Sequence, residues 1–164
     1  MFTLPASGPI AYSVFTLILL GGLARLAWVD CKTYRLPDML TFPLIFLGLV
    51  QSHILTQSLT ASLIGGVMGY GLFVAIELGF KHLRKIDGLG RGDAKLLAAG
   101  GAWCGWAGLP FIVLIASAGG LIYALLISKE KDATQKDSLI PFGPFLAVGI
   151  AMVWLNSVYV AFNI

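Results

Sequence analysis

The sequence predicts an all-α fold: a polytopic membrane protein of six transmembrane helices, with both termini on the non-cytoplasmic side. Three observations carry this. The 164 residues are 58% hydrophobic and only 12% charged, where soluble domains carry about 25% charged residues. No Asp, Glu, Lys or Arg occurs in 1–24, 39–76, 96–128 or 138–164. All eleven basic residues fall at one set of span ends. A soluble enzyme, a disordered tail and a coiled coil are excluded by the first observation. A transmembrane barrel is excluded by the second, because the long apolar runs do not alternate.

A spanning helix needs about 20 apolar residues. The first and last runs hold one helix each, and the 38- and 33-residue runs between them hold two apiece as tight hairpins. The spans are expected near 8–27, 39–55, 59–79, 93–107, 109–128 and 139–161. The opening segment has no basic stretch before it and no clear small-residue cleavage site, so it reads as a retained helix. Arg25, Lys32 and Arg35 surround the first loop; Lys81, Arg84, Lys85, Arg91 and Lys95 flank the third; Lys129, Lys131 and Lys136 lie in the fifth. The positive-inside rule makes these loops cytoplasmic. The formal charge of +3 is thus a topology signal, and no nucleic-acid partner is expected. Residues 1–164 read as a single transmembrane domain without a repeat.

Cys31 and Cys104 are 73 positions apart and expected on opposite membrane faces, which suits packing better than a disulfide or a zinc site. His53 and His82 are too isolated for a metal centre, and no cofactor is expected. The polar stretch Lys129–Ser138 reads as a solvated connector. Glu77 stands one turn before Lys81, the spacing of a helical ion pair.

The acidic residues say more, and two of them occur in distinctive surroundings. In WVDCKTYRLPD (28–38), Asp30 ends an apolar helix, Pro37 pushes Leu36 towards an extended backbone, and Asp38 is placed to cap the next helix. In GLGRGDAKLLAAGG (88–101), Gly88, Gly90 and Gly92 leave almost no side-chain bulk before Asp93, so that a substrate strand has room beside the carboxylate. Asp93 opens the fourth span, where a helix N-terminus favours the ionised form. Ionisable groups near hydrocarbon are costly and are functional candidates for that reason. Two carboxylates from different helices, brought within a few ångströms, can support aspartyl proteolysis. Repulsion keeps one protonated; the ionised partner takes a proton from a water that attacks the peptide carbonyl, and the protonated partner donates to the carbonyl oxygen. The residues by themselves leave open a simpler reading: Asp30 paired with Arg25 or Lys32, Asp93 only capping its helix, and Lys95 either tuning Asp93 or snorkelling to the interface. Spacing cannot bring Asp30 and Asp93 together across 63 positions.

D-x-K-x-x-x-L-P-D at 30–38 followed by G-x-G-D at 90–93 resembles the type IV prepilin peptidase family of membrane aspartyl proteases. GDAKLLAAGGAWCGW (92–106) and IPFGPFLAVG (140–149) resemble further segments of that family, in the same order. The resemblance implies a peptidase domain with a catalytic dyad at Asp30 and Asp93, at the cytoplasmic boundary of the bacterial inner membrane. Gly90, Gly92, Lys95, Lys32 and Asp38 are supporting or substrate-binding candidates. The implied substrate is a prepilin, or a pseudopilin of a type II secretion system, cut after a glycine at the end of a short basic leader. An early glutamate of the mature subunit is then a charge for Lys95, Lys32 or Arg35 to read. Many family members also methylate the new N-terminus, using an N-terminal region that often holds a cysteine tetrad. This chain has no such tetrad, so no methyl transfer is expected, and the chain reads as a short member or one trimmed to the peptidase core. The rival readings are an archaeal-type preflagellin peptidase and a non-enzymatic small membrane transporter or scaffold. The oligomeric state is not legible in the sequence.

Overall fold

The computed structural model describes residues 8–34, 36–55, 58–84, 91–128 and 141–163. Among them are six α-helices in the expected order: α1 (Gly8–Thr33), α2 (Asp38–Ile54), α3 (Leu59–Arg84), α4 (Arg91–Cys104), α5 (Leu109–Ser128) and α6 (Gly143–Asn163). No strand occurs among the described residues.

Where helix and expected span differ, the cause is local. α1 continues past Arg25 to Thr33, because leaving hydrocarbon does not end a helix. It stops where Tyr34, with φ of 52°, turns left-handed and its N–H closes on the Asp30 carbonyl at 2.9 Å. α4 stops at Cys104 because Gly105 takes φ of 72°, which is closed to most side chains. A single 3-10 turn, Trp106–Gly108, then leads into α5. α6 begins at Gly143, after Pro141 and Phe142.

Among the described residues, four segments are long and apolar enough to cross a membrane: Pro9–Thr33, Leu59–Gly79, Trp106–Leu126 and Gly143–Asn163. Their outward residues include Leu17, Val67 and Leu114, each more than 65% exposed, a surface suited to lipid. α2, with 17 residues, and α4, with 14, are shorter. At 1.5 Å per residue α4 is only about 21 Å long. It is the core of the bundle, with Ala94 and every residue from Leu96 to Trp103 buried.

Lipid supplies no hydrophobic drive between helices, so small residues and buried hydrogen bonds hold them together. α3 meets α4 backbone to backbone: a β-carbon on Gly101 would run into the Gly65 carbonyl, and one on Gly65 into the Gly101 carbonyl. α5 meets α6 in the same way, a β-carbon on Gly149 lying 2.7 Å from the Ile112 carbonyl oxygen. Trp103 fastens α4 to α2, its Nε1–H donating to the Leu44 carbonyl at 2.8 Å while Gln51 Nε2 donates to the Trp103 carbonyl at 3.2 Å. Its ring meets Trp154 of α6 edge-on at 5.2 Å, and Trp154 Nε1–H donates to Thr16 Oγ1 of α1 at 3.0 Å. At the opposite end of the bundle α1 finishes and α2, α4 and α6 begin.

Candidate active site

Asp30 lies in the last turn of α1 and is 5% exposed. Its Oδ2 accepts a hydrogen bond from the Gly143 N–H, the first residue of α6, at 3.0 Å. A β-carbon on Gly143 would lie 2.6 Å from that oxygen, so only glycine admits the contact without displacement. No ion pair joins Asp30 to Arg25 or Lys32 among the described residues: Arg25 is exposed, and Lys32 Nζ lies 3.9 Å over the Trp28 ring.

Asp93 is the third residue of α4 and half-buried. The loop that follows α1 brings it to Asp30. Leu36 is buried against Gly92, where a β-carbon would meet Leu36 Cβ at 2.9 Å. The second glycine of GRGD therefore lets the start of α4 close on the Leu36–Pro37 turn. Asp30 and Asp93 line one cleft of about 380 Å³ with Tyr34, Leu36, Arg91 and Gly92, and Asp38 and Lys95 stand at its side. The two carboxyl groups thus border the same space. In such a pair the doubly ionised state is disfavoured.

Asp38 does not cap α2 as its position after Pro37 suggests. Pro37, with φ of −71° and ψ of 132°, is itself the cap residue and makes no side-chain cap bond, which leaves Asp38 as the first helical residue. Its carboxylate instead receives Lys95 Nζ from α4 at 2.5 Å, and Lys95 also lies 5.4 Å from the Phe42 ring. Glu77 lies 3.7 Å from Arg91; the side chain of Lys81, its expected partner, lies outside the described residues. The Asp38 side chain is 57% exposed, and pairs of this kind contribute about 0–1 kcal/mol. Asp38→Asn is expected to lower unfolding free energy by less than about 1 kcal/mol, less still in high salt. Denaturant titration at two ionic strengths checks this.

A second cavity, of about 400 Å³, runs between α2 and α3. It is lined by Phe42, Ile45, Gly66, Val67, Tyr70 and Ala98, and Lys95 borders it as well as the first. Of the supporting residues expected from the sequence, Gly92, Lys95 and Asp38 stand at the cleft, and Lys32 does not line it. Gly90, Gly88, Arg35 and Lys85 lie outside the described residues, as does the side chain of His82. Cys31 and Cys104 are unpaired thiols, and among the described residues no group of three His, Cys, Asp or Glu side chains is placed to hold a metal. Sequence reasoning missed Tyr34, Leu36 and Gly143 as parts of the site. The one available signal was the glycine of IPFGP, directly at the start of a helix.

The fold and the cleft define a helical membrane protein that gathers acidic groups from separate helices at one end of its bundle. Residues 17–125 match the type IV leader peptidase family, and the chain belongs to that family. It is similar to the prepilin leader peptidase/N-methyltransferase of Escherichia coli (strain K12), 42% identical over 85% of this chain and 64% of that protein. Proteins of the same description from Burkholderia pseudomallei (strain K96243) and Pseudomonas aeruginosa (strain PAO1) are 41% and 39% identical, over 87% and 84% of this chain and 46% and 48% of their own length. The chain thus spans about half to two thirds of the length of these relatives. No solved structure matches it.

Proposed function

We propose that the chain is an aspartyl endopeptidase of the bacterial inner membrane that removes the leader from prepilins or pseudopilins, cutting after a glycine, with Asp30 and Asp93 as its catalytic pair. The observation that carries this is that those two side chains, 63 positions apart, line one cleft. Membership of the leader peptidase family and the names of the relatives supply the substrate class. With one carboxyl protonated and one ionised, water adds to the scissile carbonyl carbon and the tetrahedral adduct collapses with loss of the amine. Lys32, Arg91 and Lys95 near the cleft support a cytoplasmic-facing site under the positive-inside rule.

Co-expression with a candidate prepilin, followed by mass measurement of the mature N-terminus, tests the reading. A product shortened by the leader after a glycine is expected. With S-adenosylmethionine added, the new amino group is expected to stay unmethylated, since the 164 residues hold only two cysteines and no tetrad. A full-length precursor that persists beside a well-folded chain sinks the reading and favours the transporter or scaffold alternative.

The apolar cavity between α2 and α3 receives the start of the substrate's hydrophobic helix; Lys95 lines both it and the cleft, so it lies beside a chain whose scissile bond is at Asp93. Gly66→Leu projects into this space; a β-carbon there has its nearest neighbour, the Ala98 carbonyl oxygen, at 3.6 Å. The substitution is expected to raise KM several-fold for a full-length prepilin but not for a junction peptide lacking the apolar segment. Equal effects on both substrates, or none on either, would assign the cavity to lipid.

A further inference from the structure

The first four N–H groups of a helix have no partner within it. In α6 they are nearly all accounted for. Pro144 has none, and Phe145 and Leu146 donate to the Phe142 carbonyl at 3.1 and 3.2 Å. That leaves the Gly143 N–H, at the positive end of a 21-residue helix, and it is spent on Asp30 Oδ2 at 3.0 Å. The glycine brings nothing else to the contact, since a β-carbon would collide with the carboxylate.

The helix ends work against this bond, since Asp30 lies in the last turn of α1 and Asp93 in the first turn of α4, but they give neither carboxylate a hydrogen bond, and Asp93 has no donor to match Gly143 among the described residues. The cations of the cleft do not break the symmetry in its favour: Arg91 lies towards Glu77, and Lys95 is held by Asp38. Among the described residues, Tyr34 and Asp38 are the other titratable groups lining the cleft, and Lys32, near the end of α1, is turned onto Trp28. A hydrogen bond donated to a carboxylate favours its charged form.

We propose that Gly143 is a positioning residue that makes Asp30 the ionised member of the pair, and hence the base, while Asp93 carries the shared proton. The proposal rests on the peptidase reading above and adds an order to it. Asp30 takes a proton from water as the water oxygen bonds to the scissile carbon. Asp93 gives its proton to the carbonyl oxygen. As the C–N bond breaks, Asp30 returns its proton to the leaving amine and Asp93 recovers one from the hydroxyl that becomes the new carboxyl C=O. Both side chains end as they began.

Carboxyl-carbon NMR of the full chain in bicelles, labelled at aspartate Cγ, tests the order without substrate, the two signals being assigned by their loss in D30N and D93N. In the wild-type chain near neutral pH, Asp30 is expected to show a carboxylate shift and Asp93 a carboxylic-acid shift. Gly143→Ala is expected to move the Asp30 titration upward by at least one pH unit. On prepilin the same variant should lose at least tenfold in kcat with KM within twofold, and the acid limb of its pH profile should move up. Asp93 ionising first in the wild-type chain overturns the proposal, as does a Gly143→Ala variant with unchanged titration and kcat. If Gly143→Ala does not fold, the wild-type order alone decides. A wild-type chain that cleaves no prepilin defeats the peptidase reading instead, and the NMR order still judges the role of Gly143.

Discussion

Asp30→Asn and Asp93→Asn are each expected to cut leader removal by at least about 10²-fold, and by as much as about 10⁴-fold, the range in which a positioned acid or base contributes. Neither amide can take or give the proton at physiological pH, yet both keep the shape of the side chain. At Asp30 the amide oxygen still accepts from the Gly143 N–H, so α1 and α6 stay joined. Residues that act as a unit lose their effect together, so the double variant should be hardly worse than either single one. Single-turnover cleavage of a prepilin, with thermal midpoints in the same detergent, checks both parts. Undiminished cleavage by both variants would remove the dyad from the mechanism. Losses that multiply in the double variant would mean that the two groups act in separate steps.

Gly101→Ala should be among the most destabilising single-methyl additions possible in this chain. The added carbon meets backbone of Gly65 and Gly66, which cannot rotate away as a side chain could. The cost is expected at or above the upper end of the roughly 1–3 kcal/mol usual for overpacking, and Gly65→Ala should behave alike, since its β-carbon meets Gly101 and Gly105 backbone. Gly21→Ala and Gly71→Ala are the controls. Nothing lies within 4 Å of a β-carbon at either position, and alanine is the better helix former by about 1 kcal/mol, so their stability should hold or rise slightly. Denaturant or thermal unfolding in one detergent compares the four. A tolerated Gly101→Ala would show that α3 and α4 slide apart readily and that the start of α4 is not fixed by its packing.

The residues nearest the chemistry divide by how far their partners lie along the chain. Asp30 and Asp93 were legible as candidates because each is a costly charge at the end of an apolar helix, a property of its own neighbourhood. Asp38 was legible as important but misread as a cap, since whether Pro37 or Asp38 starts the helix turns on a backbone angle at one residue. Glu77 has a plausible local partner in Lys81, yet it lies against Arg91 from the next helix. Gly143 carried a signal in its place after Pro141 and Phe142 and within the family-like segment 140–149, but none for its partner, which is 113 positions away.

The sequence by itself determined the six helices, their order and the end of the bundle that carries charge. A helix satisfies its backbone hydrogen bonds within itself, so its formation in an apolar medium is decided by the residues it contains. Tertiary structure alone decided that α4 lies buried at the centre of the bundle, that Asp30 and Asp93 line one cleft, and that α6 aims its spare N–H at Asp30. Those outcomes depend on which small residues let which backbones touch, and closeness in space between positions far apart in the chain leaves no period or spacing to read.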